Sequence, residues 1–179
     1  YEVQLELEPY EKKKFYVKCT IEGFNDKSGF EIVREYKERA EGLVKKANLN
    51  DSLADNLVKA ADHFIVNRES TGLKTILAGF PWFTDWGRDT MIAFEGLTLV
   101  TKRFDDAREI LESFAKYIKN GLVPNVFPDE NTEPMYNTVD ASLWYFYSVD
   151  KYLSYTGNDS DYEFVKNDIY PKLKEIIQS

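Results

Sequence analysis

The chain has 179 residues, with 23 Lys and Arg against 31 Asp and Glu and a net charge of −8; without a basic cluster, this excludes a nucleic-acid footprint. One cysteine, Cys19, rules out an internal disulfide framework and fits a reducing compartment, while one histidine, His63, argues against a His-based metal site or a serine-type triad. No apolar run approaches bilayer length and no secretory pattern is seen, so a cytoplasmic chain without membrane or nucleic-acid partners is expected.

At the N-terminus "VQLEL" alternates Val3, Leu5 and Leu7 with polar neighbours, and "FYVKC" repeats the period at Phe15, Val17 and Cys19. With "EPYEKK" between them as a turn, the spacing predicts a short β hairpin that needs a partner layer. From Phe30 the period becomes helical. Val33, Tyr36, Ala40, Leu43 and Ala47 mark one face, and Leu53, Leu57, Ala60 and Phe64 mark the next, with Asn50 or Asp51 as its cap. The charge run "EYKERAEGLVKK" reads as a solvated helix face, and His63 as a packed core residue. "LKTILAGFP" is short, apolar and ended by Gly-Phe-Pro, which suits a strand or extended entry.

Four helical segments follow in an alternating pattern. Residues 87–102 are apolar nearly all round, through Met91, Ile92, Phe94, Leu97, Leu99 and Val100. Residues 105–119 carry one stripe at Ala107, Ile110, Leu111, Phe114 and Ile118, with charges opposite. After the Pro/Asn loop "GLVPNVFPDENTEPMYN", "VDASLWYFYSVDKYL" is again apolar nearly all round. "DYEFVKNDIYPKLKEII" is again striped, and Pro171 is expected to kink or restart it. Buried helix, striped helix, loop, buried helix, striped helix is the order that two concentric helical layers produce; an irregular bundle is the alternative.

The chemistry concentrates in two stretches. In "GFPWFTDWGRDT", residues 79–90, Thr84 or Asp85 suits the N-cap of the next helix. That role leaves Arg88 and Asp89 unexplained, since both charges fall one turn into an otherwise apolar helix. Arg-Asp pairs are commonly structural. Here Trp82 and Trp86 add indole faces beside carboxylates and a guanidinium, which is the equipment of a sugar site. In "YNTVDASLWYF", residues 136–146, Asn137, Thr138 and Asp140 open a second apolar helix, with Trp144 one turn further in. Alone this reads as a cap and an aromatic core helix. The repetition suggests that two helix N-termini, with their unpaired N–H groups, line one pocket. Tyr145, Tyr147, Tyr152 and Tyr155 read as core and rim.

The stretches "LKTILAGFPWFTDWGRDTMIAFEGL", "GLVPNVFPD" and "YNTVDASLWYF", in this order, resemble the glucosidase domain of glycogen debranching enzymes, the amylo-α-1,6-glucosidases of the bacterial and archaeal type. The resemblance is strongest over residues 73–156. It implies a mainly α fold built as an (α/α)6 barrel, here incomplete. The implied division is the hairpin end of an N-terminal β domain at 1–28, a helical linker at 29–49 and the first part of the barrel at 50–179. The implied reaction is inverting hydrolysis of α-1,6-linked glucose at the branch points of glycogen or an α-glucan limit dextrin, with no metal or cofactor. Trp82, Asp85, Trp86, Arg88 and Asp89 are implied to contact or support the terminal glucose, joined by Asn137, Asp140 and Trp144. In that family the general acid and base come later than the helices found here. A fragment without catalysts is therefore expected, self-associating to cover apolar faces. A non-catalytic carbohydrate-binding or scaffold toroid, or another toroid glycosidase of glucoamylase or trehalase type, remains as the alternative.

Overall fold

Side-chain caps fix the starts of three helices, at Ser28, Asp51 and Asn158. The computed structural model describes residues 4–20, 23, 25–80, 82–127 and 133–179. Val3 of the first expected strand, Pro81, and the Pro128 and Asp129 end of "GLVPNVFPD" lie outside the described residues. Two compact units divide the chain, Tyr1–Gly42 and Leu43–Ser179.

In the first unit, the described residues 4–20 form no strand where the hairpin is expected. The turn is present: Tyr10 takes a φ of 69°, and the Glu11 N–H donates to the Glu8 carbonyl at 2.9 Å. Leu5, Leu7, Phe15 and Val17 stay exposed. Alternation alone is insufficient, because two strands without an apolar layer to cover gain too little to offset their ordering. Helix α1, Gly29–Ala47, begins in this unit, ends in the second, and opens on a reciprocal capping box. The Ser28 N–H donates to Glu31 Oε2 at 2.7 Å, and the Glu31 N–H donates to Ser28 Oγ at 3.2 Å.

The second unit holds the core. Helix α2, Ser52–Ala61, is capped by Asp51, which accepts the Ala54 N–H. It stops before Phe64, whose carbonyl instead accepts the Leu77 N–H at 2.9 Å and starts a hairpin. Strands β1, Ile65–Arg68, and β2, Leu73–Ile76, pair antiparallel with Ile65 opposite Ile76. β2 falls within the "LKTILAGFP" stretch; β1 is an addition to the sequence reading. His63 is exposed on the turn before β1, not packed in the core. The turn lifts it off the apolar face that a continued helix would have shared with Phe64.

Helix α3, Gly87–Phe94, runs into a π-helical segment, Glu95–Leu99. Helix α4, Phe104–Ala115, buries Ala107, Ile110, Leu111 and Phe114 along the expected stripe. Helix α5, Asp140–Thr156, ends at Gly157 in the left-handed conformation. Helix α6, Asp159–Phe164, is capped by Asn158; it continues through a second π segment, Val165–Ile169, into α7, Tyr170–Gln178. Pro171 sits at the first turn of α7, where its missing N–H costs little, so the helix restarts as expected.

α3 lies alongside α5, and α4 packs against α5, β2 and both π segments. Met91, Phe94, Phe114, Phe127 and Tyr145 meet in one core. α3 and α5 are not buried all round. Ile92 and Val100 are half-exposed, and Leu143 and Tyr147 stand on the open face of α5. The described residues are thus mainly α, with one two-stranded sheet.

Candidate sugar-binding site

The aromatic stretch before α3 is a tight loop fastened at several points. The Trp82 and Phe83 N–H groups both donate to the Gly79 carbonyl, and the Ala78 N–H donates to Thr84 O. This turns Trp82 outward, 86% exposed, at the loop tip. Phe83 meets Trp86 edge-on, with ring centroids 6.4 Å apart. Trp86 holds the N-cap position of α3 with no side-chain cap bond, so neither Thr84 nor Asp85 caps this helix.

Asp85 has a different occupation. It is 2% exposed. Both of its oxygens accept from Arg68 Nη1 at 2.5 Å, and Oδ2 also accepts the Thr75 hydroxyl at 2.8 Å. A carboxylate committed to two partners inside the fold has little left for a ligand. It holds the loop to the hairpin.

The loop also zips to residues 125–127. The Gly87 N–H donates to Asn125 O at 2.8 Å, and the Phe127 N–H donates to Asp85 O at 3.3 Å. Gly87 is required here, since a Cβ would stand 2.0 Å from the Pro124 carbonyl oxygen. Val126 pairs in turn with Met135, which leads to the mouth of α5.

The two stretches singled out by repetition do meet. Arg88 Nε donates to Asp140 Oδ2 at 2.8 Å, and Nη2 donates to Oδ1 at 2.9 Å. This fork joins the first turn of α3 to the first turn of α5. Both side chains remain nearly half-exposed. The hydrogen bond from Arg88 holds the Asp140 carboxyl below the usual aspartate range, and the same bond raises the Arg88 pKa.

Near this pair, Asn137 Oδ1 accepts from Asn125 Nδ2 at 3.1 Å. Asn125 Oδ1 and Thr138 Oγ1 are buried without a protein partner. Val139, not Asn137 or Thr138, occupies the N-cap position of α5. Trp144 is half-buried and meets Tyr147 edge-on at 5.5 Å. Asp89 is exposed and lies within Coulombic reach of Arg88, whose pKa it helps to raise. It lines a cleft of about 260 Å³ with Phe64, Leu77, Ala78 and Ile92.

Further along the same helix pair, Glu95 accepts the Tyr147 hydroxyl at 2.8 Å and the Tyr155 hydroxyl at 3.1 Å, with Lys151 Nζ at 3.5 Å. The Tyr147 hydroxyl chiefly holds the Glu95 carboxyl below its usual range. Glu95 had a visible signal, a lone charge inside an apolar helical run. Arg68 and Thr75 had none, since their roles rest on packing across the hairpin. Among the described residues, no group of His, Cys, Asp and Glu could hold a metal ion. No helix among them is long and apolar enough to cross a membrane.

The glycogen debranching enzyme of Saccharomyces cerevisiae is 38% identical over 84 residues, a match spanning 44% of this chain and 5% of the yeast protein. Residues 59–179, more than half of the chain, match the family described as amylo-alpha-1,6-glucosidase. That match contains the hairpin, the aromatic loop and the Arg88–Asp140 fork, and the chain belongs to the amylo-alpha-1,6-glucosidase family.

Proposed function

We propose that the mouths of α3 and α5 form part of the subsite that grips a terminal glucose in an inverting α-1,6-glucosidase acting on glycogen or a limit dextrin, within an (α/α)6 barrel. The observation that carries this reading is the exposed Arg88–Asp140 fork between two helix N-termini. A guanidinium and a carboxylate fixed side by side offer donors and acceptors to adjacent sugar hydroxyls, and the pair needs no rearrangement to do so. Trp86 and Trp144 supply aromatic surface nearby, and Trp82 projects at the loop tip. Asp89 lies on the adjoining face as a further acceptor for a hydroxyl.

An inverting glycosidase needs one carboxyl that holds its proton and one that activates water. Asp140 is held ionised by Arg88, and Asp85 is enclosed by Arg68 and Thr75. Neither is arranged to donate a proton, and by the family resemblance the acid and base are proposed to lie outside residues 1–179. The test is glucose release from a limit dextrin by this chain, beside isomaltose binding followed by tryptophan fluorescence. Binding without turnover is expected. Turnover that disappears on Asp89→Asn would place a catalyst inside the chain and overturn the assignment.

A further inference from the structure

We infer that Arg68 is a positioning residue for the sugar-binding mouth, a role that rests on the glucose-subsite reading above. Arg68 ends β1 and reaches away from it. Its Nη1 holds both oxygens of Asp85, its Nε donates to Ser70 Oγ at 2.8 Å, and its Cζ lies 4.2 Å from the centroid of the Phe127 ring. The side chain is 12% exposed, and that of Asp85 is 3% exposed.

One guanidinium therefore fastens two loops at once. Through Asp85 it fixes the loop that delivers Trp86 and Arg88. Through the Phe127 face it fixes the segment that delivers Asn125. Phe127 is itself held edge-on by Phe114 and Tyr117, each 5.0 Å away, so its ring is a fixed platform. The two loops are cross-linked by the Phe127 N–H to Asp85 O bond and the Gly87 N–H to Asn125 O bond. Gly87 is the first residue of α3, so the register of that bond sets where Arg88 emerges and whether it meets Asp140.

The chemistry requires arginine. Only a planar guanidinium can hold a carboxylate through N–H groups while its carbon sits against an aromatic ring. Lysine would satisfy the charge but not both contacts. Without the cation, the Asp85 carboxylate keeps only the Thr75 hydroxyl among its side-chain partners, and the loop must open to hydrate it.

The experiment measures amide hydrogen exchange and isomaltose affinity in parallel on wild type, Arg68→Met and Arg68→Lys. In Arg68→Met, the Gly87 and Phe127 amides are expected to exchange at least about tenfold faster, while those of Ile110 and Tyr145 in the core keep their protection. Isomaltose affinity should fall by about tenfold, with Arg68→Lys restoring part of both effects. If Arg68→Met does not fold, Asp85→Asn supplies the same readouts, since it keeps the side-chain shape and removes the charge. Unchanged exchange at Gly87 and Phe127 would overturn the inference. So would faster exchange with unaltered affinity, which would leave Arg68 a purely structural residue. Failure of the wild-type chain to bind isomaltose sinks the glucose-subsite reading instead, and the exchange data still decide whether Arg68 sets the loop.

Discussion

Arg88 and Asp140, 52 positions apart in sequence, form a two-pronged ion pair that ties the first turn of α3 to the first turn of α5. The pair is open to solvent, so stability is not its main consequence. Its effect is to set a guanidinium and a carboxylate at a fixed spacing. Arg88→Met and Asp140→Asn are each expected to weaken isomaltose binding by about tenfold or more, with little change in thermal midpoint. Isothermal titration and thermal unfolding separate the two effects. In an enzyme of this family that turns over limit dextrin, a collapse of kcat with unaltered affinity on the equivalent Asp→Asn change would make Asp140 a catalyst rather than a grip.

Acid should release this fork in a predictable direction. Its partner holds Asp140 below the ordinary aspartate value of 3.8. A depressed folded-state pKa means that the pair's contribution is complete above that value and lost as pH falls through the lower folded value. A carboxyl NMR titration of Asp140 is expected to reach its midpoint below 3.8 in wild type, and to move up in Arg88→Met.

Glu95 obeys the same sign. Its carboxyl is held below 4.5 by the Tyr147 hydroxyl first, then by Tyr155 and Lys151. The Glu95→Gln variant should lose about 1 kcal/mol or less at neutral pH, given its partial exposure. The difference from wild type should shrink as pH falls below 4.5, which thermal melts across an acid series would show. A difference that grows on acidification contradicts the assignment.

Gly87→Ala tests the loop junction. The added Cβ would lie 2.0 Å from a backbone oxygen, that of Pro124, and 3.4 Å from Phe114. Backbone cannot swing aside as a flexible side chain can. Overpacking of this kind costs about 1–3 kcal/mol and should lower the thermal midpoint by several degrees. The Gly87 to Asn125 hydrogen bond should weaken with it, detectable as faster exchange of the Gly87 amide.

Tyr145→Phe probes the core behind the site. The Tyr145 hydroxyl is fully buried and donates to the Leu111 carbonyl at 2.8 Å. Burial also raises its pKa, keeping the hydroxyl protonated. Because that carbonyl sits within α4 and has a helical N–H partner, removing the hydroxyl should cost only about 0.5–1.5 kcal/mol. Denaturant unfolding would measure the loss, with no expected change in isomaltose affinity.

Much of the helical skeleton was legible from periodicity and caps, and particular residues show why. Asp51 capped α2, Pro171 restarted the last helix, and the stripe through Ala107, Ile110, Leu111 and Phe114 became the buried face of α4. Each rests on interactions within a few residues. The N-terminal alternation through Leu5 and Leu7 did not become a hairpin ladder, because a strand requires a partner layer that its own residues cannot supply.

The site divides along the same line. Sequence alone put Trp82, Trp86, Arg88, Asp89, Asp140 and Trp144 in two stretches that open helices, since that follows from local composition and spacing. Only the tertiary structure decided what each carboxylate does. Asp85 and Asp89 are four residues apart and chemically identical, yet one is enclosed by Arg68 and Thr75 while the other faces an open cleft. That choice depends on which distant loop brings a guanidinium within reach. Electrostatic partners are set by packing through space, and adjacency along the chain does not encode them.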